Sequence, residues 1–318
     1  MTKRTRLNRV VSPLFAVILI AGCLIIALKT QDVRKIISLL RSLDLRYCLI
    51  SVVLTLIGVT LTSANLHLLL TKVGTRLSWG RIFEIDLFSL LTTYYTPAGS
   101  GGLAYFIYAL KKHYVPVENS ATCFVLDKII TVLLAVLSFG ILAVFKLHAS
   151  YFSLSRTRLA SILLLITLGG SVLWAFPALR GLVRSFGCRL MVFKQFPSAI
   201  ITNVIITTAQ FCVNAGHFLV AFRAIHAQAP PFGVLLISYG PLALLGYLPF
   251  TISGAGVSDA AAILLWKQPS LSSEEIIAAF MVLRLFLLIG ALTLPACLYA
   301  GKLVKRRVAT ATAFMVIS

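Results

Sequence analysis

Apolar runs of membrane-crossing length recur along this chain, at Val11 to Leu28, at Leu49 to Leu70, and at about 121–145, 159–178, 198–222 and 276–300. Each is close to the roughly 20 residues that a helix needs to cross the hydrocarbon core of a bilayer. In that medium every backbone N–H and C=O must find its partner inside the protein, so such a run folds as a helix. Only 12% of the 318 residues are charged, about half the share in a soluble domain, and the mean hydropathy is +0.97. The expected fold is all-α: a single polytopic transmembrane bundle over residues 1–318.

Two stretches break the pattern. Thr96-Pro97-Ala98-Gly99-Ser100-Gly101-Gly102 interrupts one apolar region, and Leu248-Pro249-Phe250-Thr251-Ile252-Ser253-Gly254-Ala255-Gly256 interrupts another. Proline lacks a helix donor and glycine costs backbone entropy, so neither stretch holds a regular helix. When Gly102 is laid on Gly256, each is followed by an apolar run ending in a lysine, Lys111 or Lys267. Farther on, with a two-residue shift, Phe124-Val125-Leu126-Asp127-Lys128 falls beside Phe280-Met281-Val282-Leu283-Arg284. The chain therefore reads as two related halves, about 45–145 and 198–300. Paired interruptions at matching places are the usual sequence pointer to a transporter's binding site; a surface loop is the plainer reading of either one alone.

The arms around each break are too short to cross, which favours re-entrant hairpins. Six full spans plus two hairpins place 17 Lys/Arg on the side of the termini against 10 opposite, whereas eight crossings give 15 against 12. The positive-inside rule thus favours the hairpins, with both termini cytoplasmic and the chain in the inner or plasma membrane. Three crossings between the hairpins make the second enter from the opposite face, which is an inverted repeat. Residues 29–47 read as a short amphipathic segment on the membrane surface, and the run from Val11 as a retained first span rather than a cleaved leader.

Charges inside apolar runs are costly, on the order of 2.5–3.5 kcal/mol each at a helix centre, and mark candidate sites. Asp127 and Lys128 lie near the start of a span, where snorkelling competes with a functional role. Arg284 lies two turns into its span, suited to a lipid phosphate by bidentate bonds or to a pair with Asp259. Asp259 opens the helix after the second break, as a cap or as a substrate contact. Free amides of Gly101, Gly102, Ala255 and Gly256 at these helix starts suit an anionic headgroup. Gln210, Asn214 and His217 fall on one face of their span, as a polar path or as interhelical glue. Glu84 and Asp86, two positions apart, are expected on a solvated face, and Asn65 and His67 as hydrogen bonders at a span's end.

Other classes are disfavoured. The formal charge of +20 is spread over short loops, as topology signals and contacts to anionic lipids rather than to nucleic acid. Six cysteines without Cys-x-x-Cys spacing indicate neither a disulfide framework nor a metal site, and no cofactor is implied. Nine acidic residues and no nucleophile or nucleotide-binding motif leave little for catalysis, so no catalytic residue is assigned.

Pro97-x-Gly-x-Gly-Gly, Asp127-Lys128, the Pro249 to Asp259 stretch and Arg284, in this order and spacing, resemble the membrane region of lysylphosphatidylglycerol synthases and the wider group of flippase-like integral membrane proteins. The resemblance covers roughly residues 10–305. It departs after the first Gly-Gly, where the family commonly has an acidic residue and this chain has Leu103, and at Asp259, where Glu is usual. It implies translocation of an anionic phospholipid or polyprenyl-linked lipid between leaflets, without aminoacyl transfer, since the chain stops after the membrane region. An accessory role beside a separate lipid-modifying or glycosyl-transferring enzyme is the alternative, and a membrane-embedded lipid-phosphate enzyme a further one. The expected headgroup site comprises Pro97, Gly99, Gly101, Gly102, Asp127, Lys128, Pro249, Gly254, Gly256, Asp259 and Arg284, with Asp127 and Asp259 tuning it electrostatically.

Overall fold

The computed structural model describes residues 32–94, 96, 100–146, 191–246, 256–266 and 268–317. Within them lie nine α-helices and one 3-10 turn, with no strand. The apolar runs at 11–28 and 159–178, together with Pro97, Gly99, Pro249 and Gly254, fall outside the described residues.

In chain order the helices are α1 (Val33–Arg41), α2 (Arg46–Lys72), α3 (Trp79–Tyr94), α4 (Ser100–Lys112), α5 (Val117–Lys146), α6 (Pro197–Ala224), α7 (Phe232–Gly246), α8 (Val257–Trp266) and α9 (Ser273–Ile317). Helices α2, α5, α6 and α9 are long and apolar enough to cross a membrane. The 16, 13, 15 and 10 residues of α3, α4, α7 and α8 are not. At 1.5 Å per residue they span about 15–24 Å against a core of about 30 Å.

The first short pair doubles back. The Ser89 hydroxyl donates to the Gly102 carbonyl at 3.2 Å, and the Phe88 and Tyr105 rings lie 6.5 Å apart, so α4 runs antiparallel along α3. Glycine is needed at this turn because a Cβ on Gly102 would strike the Thr93 hydroxyl and come within 3.1 Å of the Ser89 carbonyl. The sequence reading of Gly101 and Gly102 as breakers was thus half the reason for them; close approach is the other half.

Helices α2 and α6 pack together at the centre. Around them α3 lies on α9 and α7 on α5; α2 meets α3, α5 and α9, and α6 meets α7, α9 and α5; α4 touches α3 and α5, and α8 touches α7 and α9. Exchanging α2–α5 with α6–α9 leaves this set of neighbours unchanged.

Apolar side chains cover the outer faces, as lipid demands, while small polar residues are buried alongside the apolar cores. On α2, Ser51, Thr55 and Ser63 are buried while Leu49, Val53 and Ile57 are exposed, and α5 likewise exposes Leu133, Val136 and Leu137. One apolar core surrounds Leu66, Leu70, Ile82, Phe106 and Leu110. The other surrounds Phe218, Phe222, Trp266, Phe280 and Phe286. The amphipathic α1 is capped by Asp32, which accepts from the Arg34 and Lys35 amides. It lays Ile36, Leu39 and Leu40 against the second core, and Lys35 reaches the Ser272 hydroxyl at 2.9 Å.

Candidate functional site

A cavity of about 540 Å³ lies among α2, α3, α4, α5 and α6, with single contributions from α7 and α9. Its wall mixes hydroxyls (Thr55, Thr62, Ser89, Thr93, Thr131) with Asp86, Asp127, Lys128, Gln210, Asn214 and His217. The size is that of an ordinary ligand pocket, and the concentration of polar groups in an otherwise apolar bundle is what distinguishes it.

Asp127, 2% exposed, is held on two sides. The Asn65 amide donates to Oδ1 at 2.6 Å and the Lys128 ammonium sits 2.9 Å from Oδ2. Burial this complete shows that Asp127 does not snorkel to the interface. The Lys128 ammonium also lies 5.1 Å from the Phe124 ring centroid, a favourable place for a cation. Asn65 is itself fully buried, so it is an orienting partner of Asp127 rather than a terminal hydrogen bonder of its span.

Asp86 departs from the expectation of a solvated face. It is buried, lines the cavity and accepts from the Ser63 hydroxyl at 2.9 Å. The reason is the fold-back of α4 and the crossing of α9 on α3, which cover a helix too short to be recognised as part of the bundle interior. Glu84 stays nearer the surface and joins Arg81 at 3.0 Å and Lys302 at 2.5 Å.

The polar face of α6 serves both of its expected purposes. Gln210 donates to the Thr62 hydroxyl at 3.1 Å, and His217 Nδ1 shares a hydrogen bond with the Ser51 hydroxyl at 3.0 Å. These bonds tie α6 to α2, and the same side chains front the cavity.

The residues of the second break lie elsewhere. Arg284 grips Asp259 with both guanidinium arms, at 3.0 and 2.5 Å, so of its two expected partners it has the carboxylate. Asp259 Oδ2 also accepts from the Gly256 amide at 3.1 Å, which makes it a cap of α8 and a clamp on α9. Gly256 itself sits at φ 85°, a conformation suited to glycine. Neither Gly256, Asp259 nor Arg284 lines the cavity, whereas Gly102, Asp127 and Lys128 do. The expected free amides are in part engaged: Gly101 donates to the Thr96 hydroxyl at 2.8 Å and Gly256 to Asp259.

Sequence reading missed Asp86 and the Thr55 and Thr62 hydroxyls as parts of one wall, and Ser63 as the donor that holds Asp86. The signal available was the helical spacing of Ser51, Thr55 and Thr62, small polar residues returning on one face of an apolar run. No group of three or more potential metal ligands occurs among the described residues.

The family model for the lysylphosphatidylglycerol synthase TM region matches residues 14–294. No curated protein matches the chain significantly.

Proposed function

Because the chain belongs to the lysylphosphatidylglycerol synthase TM region family, a group tied to lipid modification or transport, we propose that it is a lipid translocase whose central cavity receives a phosphate-bearing headgroup. The observation that carries this reading is the polar cavity itself, bounded on one side by the folded-back α3 and α4 and fronted by the Lys128 ammonium. A headgroup crossing a bilayer must exchange its water for protein donors. Lys128, Gln210 and Asn214 carry N–H groups suited to that exchange, while the apolar outer faces of α2 and α5 leave the acyl chains in lipid.

In this reading the short helix pairs are re-entrant hairpins and the halves an inverted repeat. The interchangeable neighbours of α2–α5 and α6–α9 support two related halves. The protein resides in the inner or plasma membrane with cytoplasmic termini. Its ligands are anionic phospholipids or polyprenyl-linked lipids, supplied by or delivered to a separate lipid-modifying enzyme, and it performs no chemical step itself.

The test is leaflet exchange of fluorescent phosphatidylglycerol in proteoliposomes, comparing wild type with Lys128→Ala and Gly102→Leu at matched incorporation. Exchange above empty vesicles that both substitutions abolish is the expected result. No exchange, with other anionic and polyprenyl-phosphate lipids also tried, would refute translocation and leave the accessory role.

A further inference from the structure

We infer that Asp86 is a proton-binding site of the cavity, loaded together with the phosphate-bearing headgroup, so that a pH gradient can drive lipid movement. This rests on the translocase reading for its cargo; the proton site itself stands on the geometry of the cavity.

The wall carries two carboxyl groups and one ammonium, and they are not equivalent. Asp127 has a cation at 2.9 Å and an amide donor at 2.6 Å, so both of its oxygens are already engaged by donors. Asp86 has a single neutral donor among the described residues, the Ser63 hydroxyl. Intramembrane carboxyls in such surroundings are the parts from which proton relays are made. Of the two wall carboxyls, Asp86 is therefore the one on which the contacts leave a place for a proton.

Lys128 and Asp127 both act on Asp86 and with opposite signs, so the ammonium that would hold Asp86 ionised is opposed by its own partner carboxylate. From α5 the wall receives Asp127 and Lys128, from α6 His217, and from α7 Tyr239; the wall residues of α2 and α4 are hydroxyl-bearing or apolar. Tyr105 of α4 stacks beside Phe88. Lys302 of α9 is committed to Glu84, two residues before Asp86.

The charge balance supplies the coupling. With both carboxylates ionised the three groups sum to one negative charge, which opposes an anionic headgroup. With the carboxylate of Asp86 converted to the acid by a proton from water, they sum to zero and the net repulsion of an anionic headgroup is removed. Proton and headgroup thus favour each other's binding, and the coupling is reciprocal. Release of the headgroup on the far side returns the proton to water there.

Two measurements on the full-length protein in vesicles test this. The first is infrared difference spectroscopy of the protonated-carboxyl carbonyl stretch across about pH 5 to 9. A titrating band is expected in wild type and in Glu84→Gln, absent in Asp86→Asn and present in Asp86→Glu. Ser63→Ala should move the band's midpoint to higher pH, because the lost hydrogen bond favoured the carboxylate; a purely structural serine would not shift it. A missing band, or one that survives in Asp86→Asn, overturns the proton site.

The second is exchange of fluorescent phosphatidylglycerol in phosphatidylcholine vesicles. Exchange faster by roughly tenfold near pH 6 than near pH 8 is expected, with that dependence lost in Asp86→Asn and kept in Glu84→Gln. Wild-type exchange indifferent to pH overturns the coupling and leaves translocation standing. An absence of exchange in wild type strikes translocation and the coupling with it, and the infrared band then decides the proton site alone.

Discussion

Replacing Arg284 by alanine separates a structural clamp from a headgroup ligand. The guanidinium holds both oxygens of Asp259, at 3.0 and 2.5 Å, and so ties α8 to α9. At 3 Å and an effective dielectric constant near 20, Coulomb's law gives about 5 kcal/mol; desolvation offsets part of it. Breaking a fully buried pair costs about 3–5 kcal/mol and an exposed one about 0–1 kcal/mol. Side-chain exposures of 27% for Arg284 and 18% for Asp259 place this pair between the two. We therefore expect Arg284→Ala to destabilise the protein by about 2–3 kcal/mol. Equilibrium unfolding in mixed micelles of wild type, Arg284→Ala, Asp259→Ala and the double variant reads this as a cycle, in which a coupling of about 1–2 kcal/mol is expected. A coupling below about 0.5 kcal/mol, accompanied by tighter phosphate binding when Asp259 alone is removed, would refute the clamp and return Arg284 to the role of an anion ligand.

Other outcomes follow from single contacts. Cysteine placed at Ser89, Thr62 or Gln210 should react with a water-soluble thiol reagent, and cysteine at Leu133 should not, because the first three front the cavity and Leu133 is on the outer face of α5, 62% exposed. Gly240→Leu should destabilise by about 1–3 kcal/mol in unfolding measurements, the usual cost of overpacking, since a Cβ there would strike the Ser138 hydroxyl and sit 2.8 Å from the Ala135 Cα. Asn65→Leu should lower thermal stability by about 1–3 kcal/mol, the cost of leaving a buried polar group without its bond, and more than Gln210→Leu, whose partner is a neutral hydroxyl. Glu84→Gln, on the rim with Lys302 and Arg81, should change stability by less than about 1 kcal/mol.

The long spans were legible because lipid permits one solution to a 20-residue apolar run, and α2, α5, α6 and α9 fall on four of the six runs read from the sequence. The short helices were legible through their interruptions, since Pro97 and the glycines that follow cannot continue α3. What could not be read was which polar residue faces which. Asp86 and Asp127 are 41 positions apart, and nothing local distinguishes an acid beside a serine from an acid beside solvent until α4 folds back along α3. Gly240 looked like any glycine in an apolar stretch; its meaning lies in Ala135 on another helix. The ionic partner of Arg284 was legible as one of two choices, and 25 residues of separation across a break left the choice to the fold.

The two halves repeat their neighbours but not their interiors. Against α6, the second half packs Phe218, Phe222, Trp266 and Phe280 with ring centroids 5.1–5.9 Å apart, and the half-buried Arg284 of α9 is matched by Asp259. Against α2, the first half leaves a cavity of about 540 Å³ and sets two carboxyl groups against one ammonium there. Asp259 opens α8, whereas α4 has no acid in its first turn, and Lys128 takes its carboxylate from the preceding residue of its own helix. The Arg284–Asp259 pair clamps α8 to α9, whereas the Lys128–Asp127 pair lies within α5 and reaches α2 through the Asn65 amide. On the translocase reading the filled half is therefore the frame, and Asp86, Asp127 and Lys128 of the other half meet the cargo together with Gln210 and Asn214 of α6.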